Sequence, residues 1–183
     1  MKKISRVIAL VLGFVLIHSC QKDTTFLITE TSVGPLTKST AVREMESTFI
    51  NDSVVGGDTV RINLGVSPKK IEIYEKGGKH LLTLTANSDS IPTVENVRVM
   101  DPRYVTEKGI GLKSTFKDIQ NKYDIKKIVT TLNSIVVFPK GSNLYFTIDK
   151  EQLPENLRFS TSDIEAVQIP DDAKIKYLML GWE

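Results

Sequence analysis

The apolar residues of this chain follow three patterns. At the N-terminus they are continuous: Val7 to Ile17 reads VIALVLGFVLI, 11 residues without a charge. Further along, two stripes recur at i, i+3 and i+7: Val42, Met45 and Phe49, then Phe116, Ile119 and Tyr123. That spacing lines one side of a helix. Elsewhere the apolar positions alternate. Leu82, Leu84 and Ala86 share one side of a strand; Leu144, Phe146 and Ile148 share one side of another, with Tyr145 and Thr147 opposite. Period two is the mark of a half-buried strand. Ile175 to Trp182 (IKYLMLGW) is apolar at both parities, which predicts a central or covered strand.

These patterns occur twice in the same order. ITETSVGPLTKST (Ile28 to Thr40) and VTEKGIGLKST (Val105 to Thr115) share Thr-Glu, an aliphatic-Gly step, Leu and Lys-Ser-Thr once two single-residue gaps are allowed. Each precedes a helical stripe, with Ser39 or Thr40, and Ser114 or Thr115, placed as N-cap hydroxyls. IYEKGGKHLLTL (Ile73 to Leu84) aligns without gaps on VFPKGSNLYFTI (Val137 to Ile148), and each predicts a hairpin around a glycine turn. IPTVENVRV (Ile91 to Val99) and IEAVQI (Ile164 to Ile169) share an aliphatic-x-x-Val step. NDSVVGG (Asn51 to Gly57) reads as a loop between the first helix and its sheet. The expected fold is α+β: two tandem repeats of about 75 residues, each a strand, a short helix, an antiparallel hairpin and a further strand. The repeats span 28–104 and 105–183.

The continuous N-terminal run changes the picture from fold to address. It follows Met1-Lys2-Lys3-Ile4-Ser5-Arg6 and precedes His18-Ser19-Cys20. A basic start, a short apolar stretch and a small residue before a cut predict a secretory signal over 1–19. A spanning helix needs roughly 20 apolar residues. Ile17-His18-Ser19-Cys20 resembles the lipobox of bacterial lipoproteins, and that resemblance implies cleavage before Cys20 and acylation of its thiol and new amine. The chain has one cysteine, as a lipid attachment point requires in a compartment where a second would form a disulfide. Several acyl chains, at roughly 0.8 kcal/mol per buried methylene, hold a protein on a membrane essentially permanently. The expected partner of Cys20 is therefore a membrane, with residues 20–27 as the tether. Gln21 is not the aspartate that marks inner-membrane retention in such lipoproteins, which implies the outer membrane. Gln21-Lys22-Asp23 resembles the start of surface-sorting signals, so both the periplasmic and the outer surface remain open.

Loss of the signal takes Lys2, Lys3 and Arg6 with it, so the 24 basic side chains fall to 21 against 22 acidic ones in a mature chain of 164 residues. No basic face is expected, and nucleic-acid binding gains no support.

Candidate chemistry is thin. After cleavage His80 is the remaining histidine, on a strand position that the hairpin alignment pairs with Leu144. One imidazole with no available thiol does not supply the ligands of a zinc site. A Ser-His-Asp triad would have to use His80, and no Gly-x-Ser-x-Gly elbow is present. Asp101, Asp163 with Glu165, and Asp171-Asp172 are the acids that a hydrolase would use. Asn51, Asp52 and Asp58 lack the spacing of a calcium loop. Gly77-Gly78 and Gly109 with Gly111 lack the Gly-Lys-[Ser/Thr] ending of a phosphate loop and read as turns. Tyr74, Tyr145, Phe146, Tyr177 and Trp182 are the candidate binding aromatics.

VGPL before a helix, GGKHLLTL, GIGLKSTFKDI, PKGSNLYF and the final AKIKYLMLGW, taken together, resemble the RpoE-regulated lipoprotein family of Gram-negative bacteria. The resemblance runs from Val33 to Trp182 and implies an envelope lipoprotein without established enzymatic activity, catalytic residue or cofactor. The departure is Gly-Leu-Lys-Ser-Thr at 111–115. The expectation is a non-enzymatic, lipid-anchored protein that engages an envelope protein through a sheet face or the seam between repeats. The alternative is a surface lipoprotein that binds glycan or another nutrient, for which a row of exposed aromatics on one sheet face would be required.

Overall fold

A computed structural model describes residues 23–56 and 70–182. The signal, Cys20, Gln21, Lys22, Gly57 and Asp58 lie outside the described residues. The first half of the chain contains β1 (Leu27–Ile28), β2 (Ser32–Val33), β3 (Leu36–Thr37), α1 (Met45–Thr48), β4 (Asp52–Val55), β5 (Lys70–Glu75), β6 (His80–Ala86) and β7 (Val94–Val99). The second half contains β8 (Val105–Thr106), α2 (Phe116–Lys122), β9 (Ile125–Thr130), β10 (Ser134–Pro139), β11 (Leu144–Asp149), α3 (Glu155–Arg158) and β12 (Ile175–Gly181). The result is a mixed α+β fold of two sheets, rich in strands and poor in helix.

Eight strands form one antiparallel sheet in the order β4-β5-β6-β7-β12-β11-β10-β9. The small sheet runs β3-β2-β1-β8, with β1 and β8 parallel through Leu27↔Val105 and Ile28↔Thr106. Residues from Thr24 onward thus belong to the folded body, where Phe26 packs edge-on against Tyr104 at 5.0 Å. The two halves of the large sheet meet at β7 and β12, where Val97 pairs with Leu180, Arg98 with Met179 and Val99 with Leu178. Arg98 and Met179 therefore face each other at the middle of the sheet.

Alternation places one set of residues against the core. Ile73, Leu82, Val99, Leu178, Phe146 and Val137 form a continuous row across six strands, all buried. Ile71, Leu84, Val97, Leu180 and Leu144 form the row beside it. The helical stripes close over this face: Val42, Met45, Phe49, Phe116 and Ile119 belong to the same buried cluster, and Tyr123 contacts Phe146 at 6.1 Å between ring centroids. The 3-10 turn Val42–Glu44 that leads into α1, and α2 itself, are each pinned at the start to the residues leading into a central strand. Val42 N–H donates to Pro92 C=O at 2.8 Å, and Phe116 N–H donates to Ala173 C=O at 2.9 Å.

Three expectations need correction. Asn51 to Gly57 is not simply a loop, because Asp52–Val55 pairs with β5 as an edge strand. Ile164 to Ile169 is not the counterpart of Ile91 to Val99: it holds a 3-10 turn over Ala166–Gln168, which buries Ile164 and Ile169, and β12 supplies the second central strand. Neither Ser39 nor Thr40 caps the first helix. A 3-10 turn over Val42–Glu44, with Ala41 at its cap, leads into α1, whose own cap position is Glu44; neither has a side-chain cap, and the Thr40 hydroxyl is bonded to Thr37 instead. In α2, by contrast, Thr115 forms a full capping box, its Oγ1 accepting from Asp118 N–H at 3.3 Å and its own N–H donating to Asp118 at 2.8 Å.

Candidate functional site

The large sheet covers its core with one face and keeps the side chains of the other half-exposed. The parity opposite the core rows puts Glu72, Thr83, Arg98, Met179 and Tyr145 in one line across the outward face. Of the predicted aromatics, Tyr74, Tyr145 and Tyr177 share this face and are half-buried. Trp182 and Phe146 are not part of it. Trp182 is 3% exposed and donates its indole N–H to Glu30 C=O at 3.0 Å, which ties the end of the chain to the β1–β2 turn. Phe146 is core.

Neighbours occupy faces of the outward rings. Tyr74 stacks on His80 at 4.5 Å with 22° between planes, and Phe138 stacks on Tyr145 at 5.6 Å and 20°. The Arg98 guanidinium lies 3.7 Å from the centroid of Tyr177. Lys127 Nζ is 4.7 Å above Phe138. Hydroxyls and amides thread between them: Tyr74 O–H donates to Glu72 at 2.6 Å, and Asn96 Nδ2 donates to Tyr145 Oη. The Glu72 carboxylate raises the Tyr74 pKa, and burial raises that of Tyr145, partly offset by the Asn96 hydrogen bond.

His80 departs from the gap-free hairpin alignment. The register shifts between Ile73 and Tyr74, so Ile73 opposes Leu82 while Tyr74 opposes His80. This bulge leaves Leu81 over to be buried and turns His80 outward, whereas its aligned partner Leu144 is core. His80 Nε2 sits 3.2 Å from Thr83 Oγ1 and 3.1 Å from Leu82 C=O. The sequence offered His80 as an ordinary strand position, and Arg98 and Phe138 went unnoticed in it. The signal was there for both: Arg98 lies between Val97 and Val99, and Phe138 follows Val137, so both have outward parity.

A second feature lies at the end of the sheet where β5 turns into β6. Asp101 is wholly buried; its Oδ1 accepts from Arg103 N–H at 2.9 Å and Nε at 3.1 Å, and its Oδ2 from Arg103 Nη2 at 2.8 Å and Lys79 Nζ at 2.9 Å. Arg103 Nη1 reaches Glu75 at 2.9 Å. Burial pushes the Asp101 pKa up, but the Arg103 and Lys79 contacts outweigh it and hold the carboxyl well below the ordinary carboxylate range. Beside this network is a cavity of about 560 Å³ lined by Asn51, Asp52, Leu81, Arg103 and Tyr104 among others. Burial, with Glu75 nearby, raises the Asp52 pKa. With every Asp101 oxygen engaged, the network works as a clamp between a hairpin and the β7–β8 connection.

The remaining acids do not converge. Asp163, Glu165, Asp171 and Asp172 are all exposed, Asp171 pairs with Lys117 at 3.3 Å, and none lines that cavity or a smaller one of about 240 Å³ beside Glu30 and Tyr123. Among the described residues no three His, Cys, Asp or Glu side chains gather in a metal-holding group. Gly77 and Gly78 have φ of +121° and +92° in an open hairpin turn, and no phosphate cradle forms there. Asp23 is exposed and accepts from Thr25 N–H at 2.9 Å.

The fold defines the class to which the chain belongs, an α+β protein with a large antiparallel sheet and a small accessory sheet. It is similar to the crystal structure of the uncharacterized protein yfeY from Escherichia coli, with a TM-score of 0.56 and 16% sequence identity over 84% of this chain and 98% of that one. At that identity the likeness is one of fold. No family model matches the chain. No curated protein matches it either.

Proposed function

We propose that this chain is a lipid-anchored envelope protein without enzymatic activity, whose outward sheet face receives a protein partner. Cys20 carries the acyl chains, Gln21, Lys22 and Asp23 direct sorting, and the outer membrane is the destination. The lipobox-like Ile17 to Cys20 and the basic, apolar lead before it support the anchor. The similarity of motifs to the RpoE-regulated lipoproteins supports the same placement.

The body is a duplication in this reading. Its support is a symmetry of pairing: if Pro92 corresponds to Ala173, then Val97 corresponds to Leu178, Arg98 to Met179 and Val99 to Leu180. The pairs Val97↔Leu180 and Val99↔Leu178 then exchange under a two-fold axis through Arg98 and Met179. The strand order on either side of that axis mirrors in the same way. Duplication puts β9–β12 beside β4–β7 in one continuous sheet rather than across a cleft. The sheet face, not a seam, is then the broad surface available to a partner.

The observation that carries the interaction reading is the half-exposed outward face, where rings, hydroxyls, an amide and a guanidinium alternate as they do in polar protein interfaces. A second reading, a glycan- or nutrient-binding surface, draws on Tyr74, Tyr145 and Tyr177 sharing that face. It is weaker because sugar stacking needs an open ring face, and His80, Phe138 and Arg98 each take one.

A photo-crosslinking amino acid at Thr83, Thr85 or Val136 on the outward face, compared with one at Gln120 on α2, tests this in intact envelopes. A discrete protein adduct from the outward positions alone is the expected result. Adducts to polysaccharide would favour the second reading, and equal adducts from Gln120 would remove the special status of the face.

A further inference from the structure

Arg98 is unsatisfied where the other well-placed arginines are not. Arg103 gives Nε, Nη1 and Nη2 to Asp101 and Glu75, and Arg158 gives Nε to Leu153 C=O at 2.9 Å. Arg98 Nε is, among the described residues, the buried side-chain nitrogen or oxygen that finds no hydrogen-bond partner. An unpaired buried donor costs roughly 1–3 kcal/mol and calls for a reason. Stacking on Tyr177 holds the guanidinium but gives Nε no acceptor. The neighbours of Arg98 in the row are Thr83 and Met179, and the acids of this face are engaged elsewhere, Glu72 by the Tyr74 hydroxyl and Asp149 by Lys176.

We infer that Arg98 is the anchor for a carboxylate of the protein partner: an Asp or Glu side chain flanked by apolar residues. The inference rests on the outward face being the interaction surface. Nε itself is closed to solvent and keeps the guanidinium free of internal acceptors, so a partner carboxylate is taken by the terminal Nη1 and Nη2 through two parallel N–H donors. Stacking on Tyr177 at 3.7 Å holds that fork in place before binding, which lowers the ordering cost of association. Met179 and the Phe138–Tyr145 stack lie along the same line and offer apolar seats beside the charge. Lys127, above Phe138, adds a second cation toward the rim, while the acids of the face, Glu72 and Asp149, already hold partners in Tyr74 and Lys176. Arg98 also sits at the midpoint of the sheet, where surrounding contacts exclude water from a central pair, as binding hot spots require.

The test is selection of a displayed random peptide library on the immobilised mature protein, followed by calorimetric titration of the selected peptides. The expected peptides carry Asp or Glu beside apolar residues. Arg98→Gln, or the acid changed to its amide, each weakens binding about tenfold or more, and the two changes together cost little beyond either alone. Arg98→Lys restores part of the loss, because an ammonium keeps the charge and loses the fork. In ¹⁵N NMR the Arg98 Nε–H resonance shifts on peptide addition, and unchanged thermal melts of both variants show that the fold is intact. Peptides that bind Arg98→Gln as tightly as wild type but fail on Val136→Arg would overturn the anchor and leave the face as an interface. No selected peptide, or binding of polygalacturonate or inorganic phosphate in its place, would overturn both.

Discussion

Replacing Asp101 by Asn removes one charge and changes little in shape. The consequence follows from the four donors it serves. Arg103 N–H and Nε address one oxygen; Arg103 Nη2 and Lys79 Nζ address the other. Whichever way the amide turns, its NH₂ group meets two donors. Breaking a buried pair on one side costs roughly 3–5 kcal/mol. Arg103 and Lys79 side chains are 37% and 51% exposed, so both can turn to water, and the expected loss is about 2–3 kcal/mol. In a domain of this size that lowers Tm by roughly 5–10 °C. The pH dependence has a definite sign. The folded Asp101 carboxyl titrates below its unfolded value of about 3.9, so its contribution is complete well above that pH and is lost as pH falls through the folded value. Urea melts of both proteins from pH 8 to pH 2.5 should show a constant gap down to about pH 5 that narrows below about pH 4. A gap under about 1 kcal/mol at pH 7, or one that persists undiminished in acid, would refute the clamp.

Other substitutions probe the frame and the anchor. Gly111→Ala should destabilise on the order of 2 kcal/mol or more, since a Cβ there would sit 2.7 Å from Tyr104 O and 3.1 Å from Val105 Cγ1; a denaturant midpoint equal to wild type would contradict it. Gly34→Ala should cost at least as much, with φ at +56° and Thr25 O at 2.5 Å from the new carbon, read from the same melts. Thr115→Ala removes the capping box of α2 and should cost about 1 kcal/mol, whereas Thr40→Ala leaves the first helix uncapped as before; equal helix fraying by amide exchange in wild type and Thr115→Ala would contradict the cap. Cys20→Ala should abolish labelling by a clickable palmitate analogue and release the protein from the membrane fraction, and continued partition would defeat the anchor.

The sequence made the interior of the sheet legible and its margins obscure. The hairpins β5–β6 and β10–β11 announce themselves because core residues alternate strictly through Ile71, Ile73, Leu82 and Leu84, and through Ile135, Val137, Phe146 and Ile148. The edge strands do not. Each has a neighbour on one side alone, β4 spans four residues, and β9 (IKKIVT) interrupts its alternation with two exposed lysines. The aliphatic-x-x-Val step misled because a 3-10 turn that buries Ile164 and Ile169 produces the same spacing as a strand. The face of His80 was hidden by one bulge, since a single extra residue inverts the parity of everything before it. Three of the five candidate aromatics reached one face. Phe146 is core by its parity, and Trp182 is buried because its indole N–H finds the Glu30 carbonyl.

The central claim is that the outward face is covered by a protein in the envelope. The chain has one cysteine, Cys20, whose thiol is blocked by acylation in the proposed mature form, so each introduced cysteine would report one site. Thr85→Cys and Val136→Cys on the outward face, with Gln120→Cys on α2 as control, would be labelled with a maleimide in permeabilised envelopes and again in purified protein. The account predicts slower labelling of Thr85→Cys and Val136→Cys in envelopes than in purified protein, with Gln120→Cys unchanged. Equal rates at all three positions in both settings would contradict it.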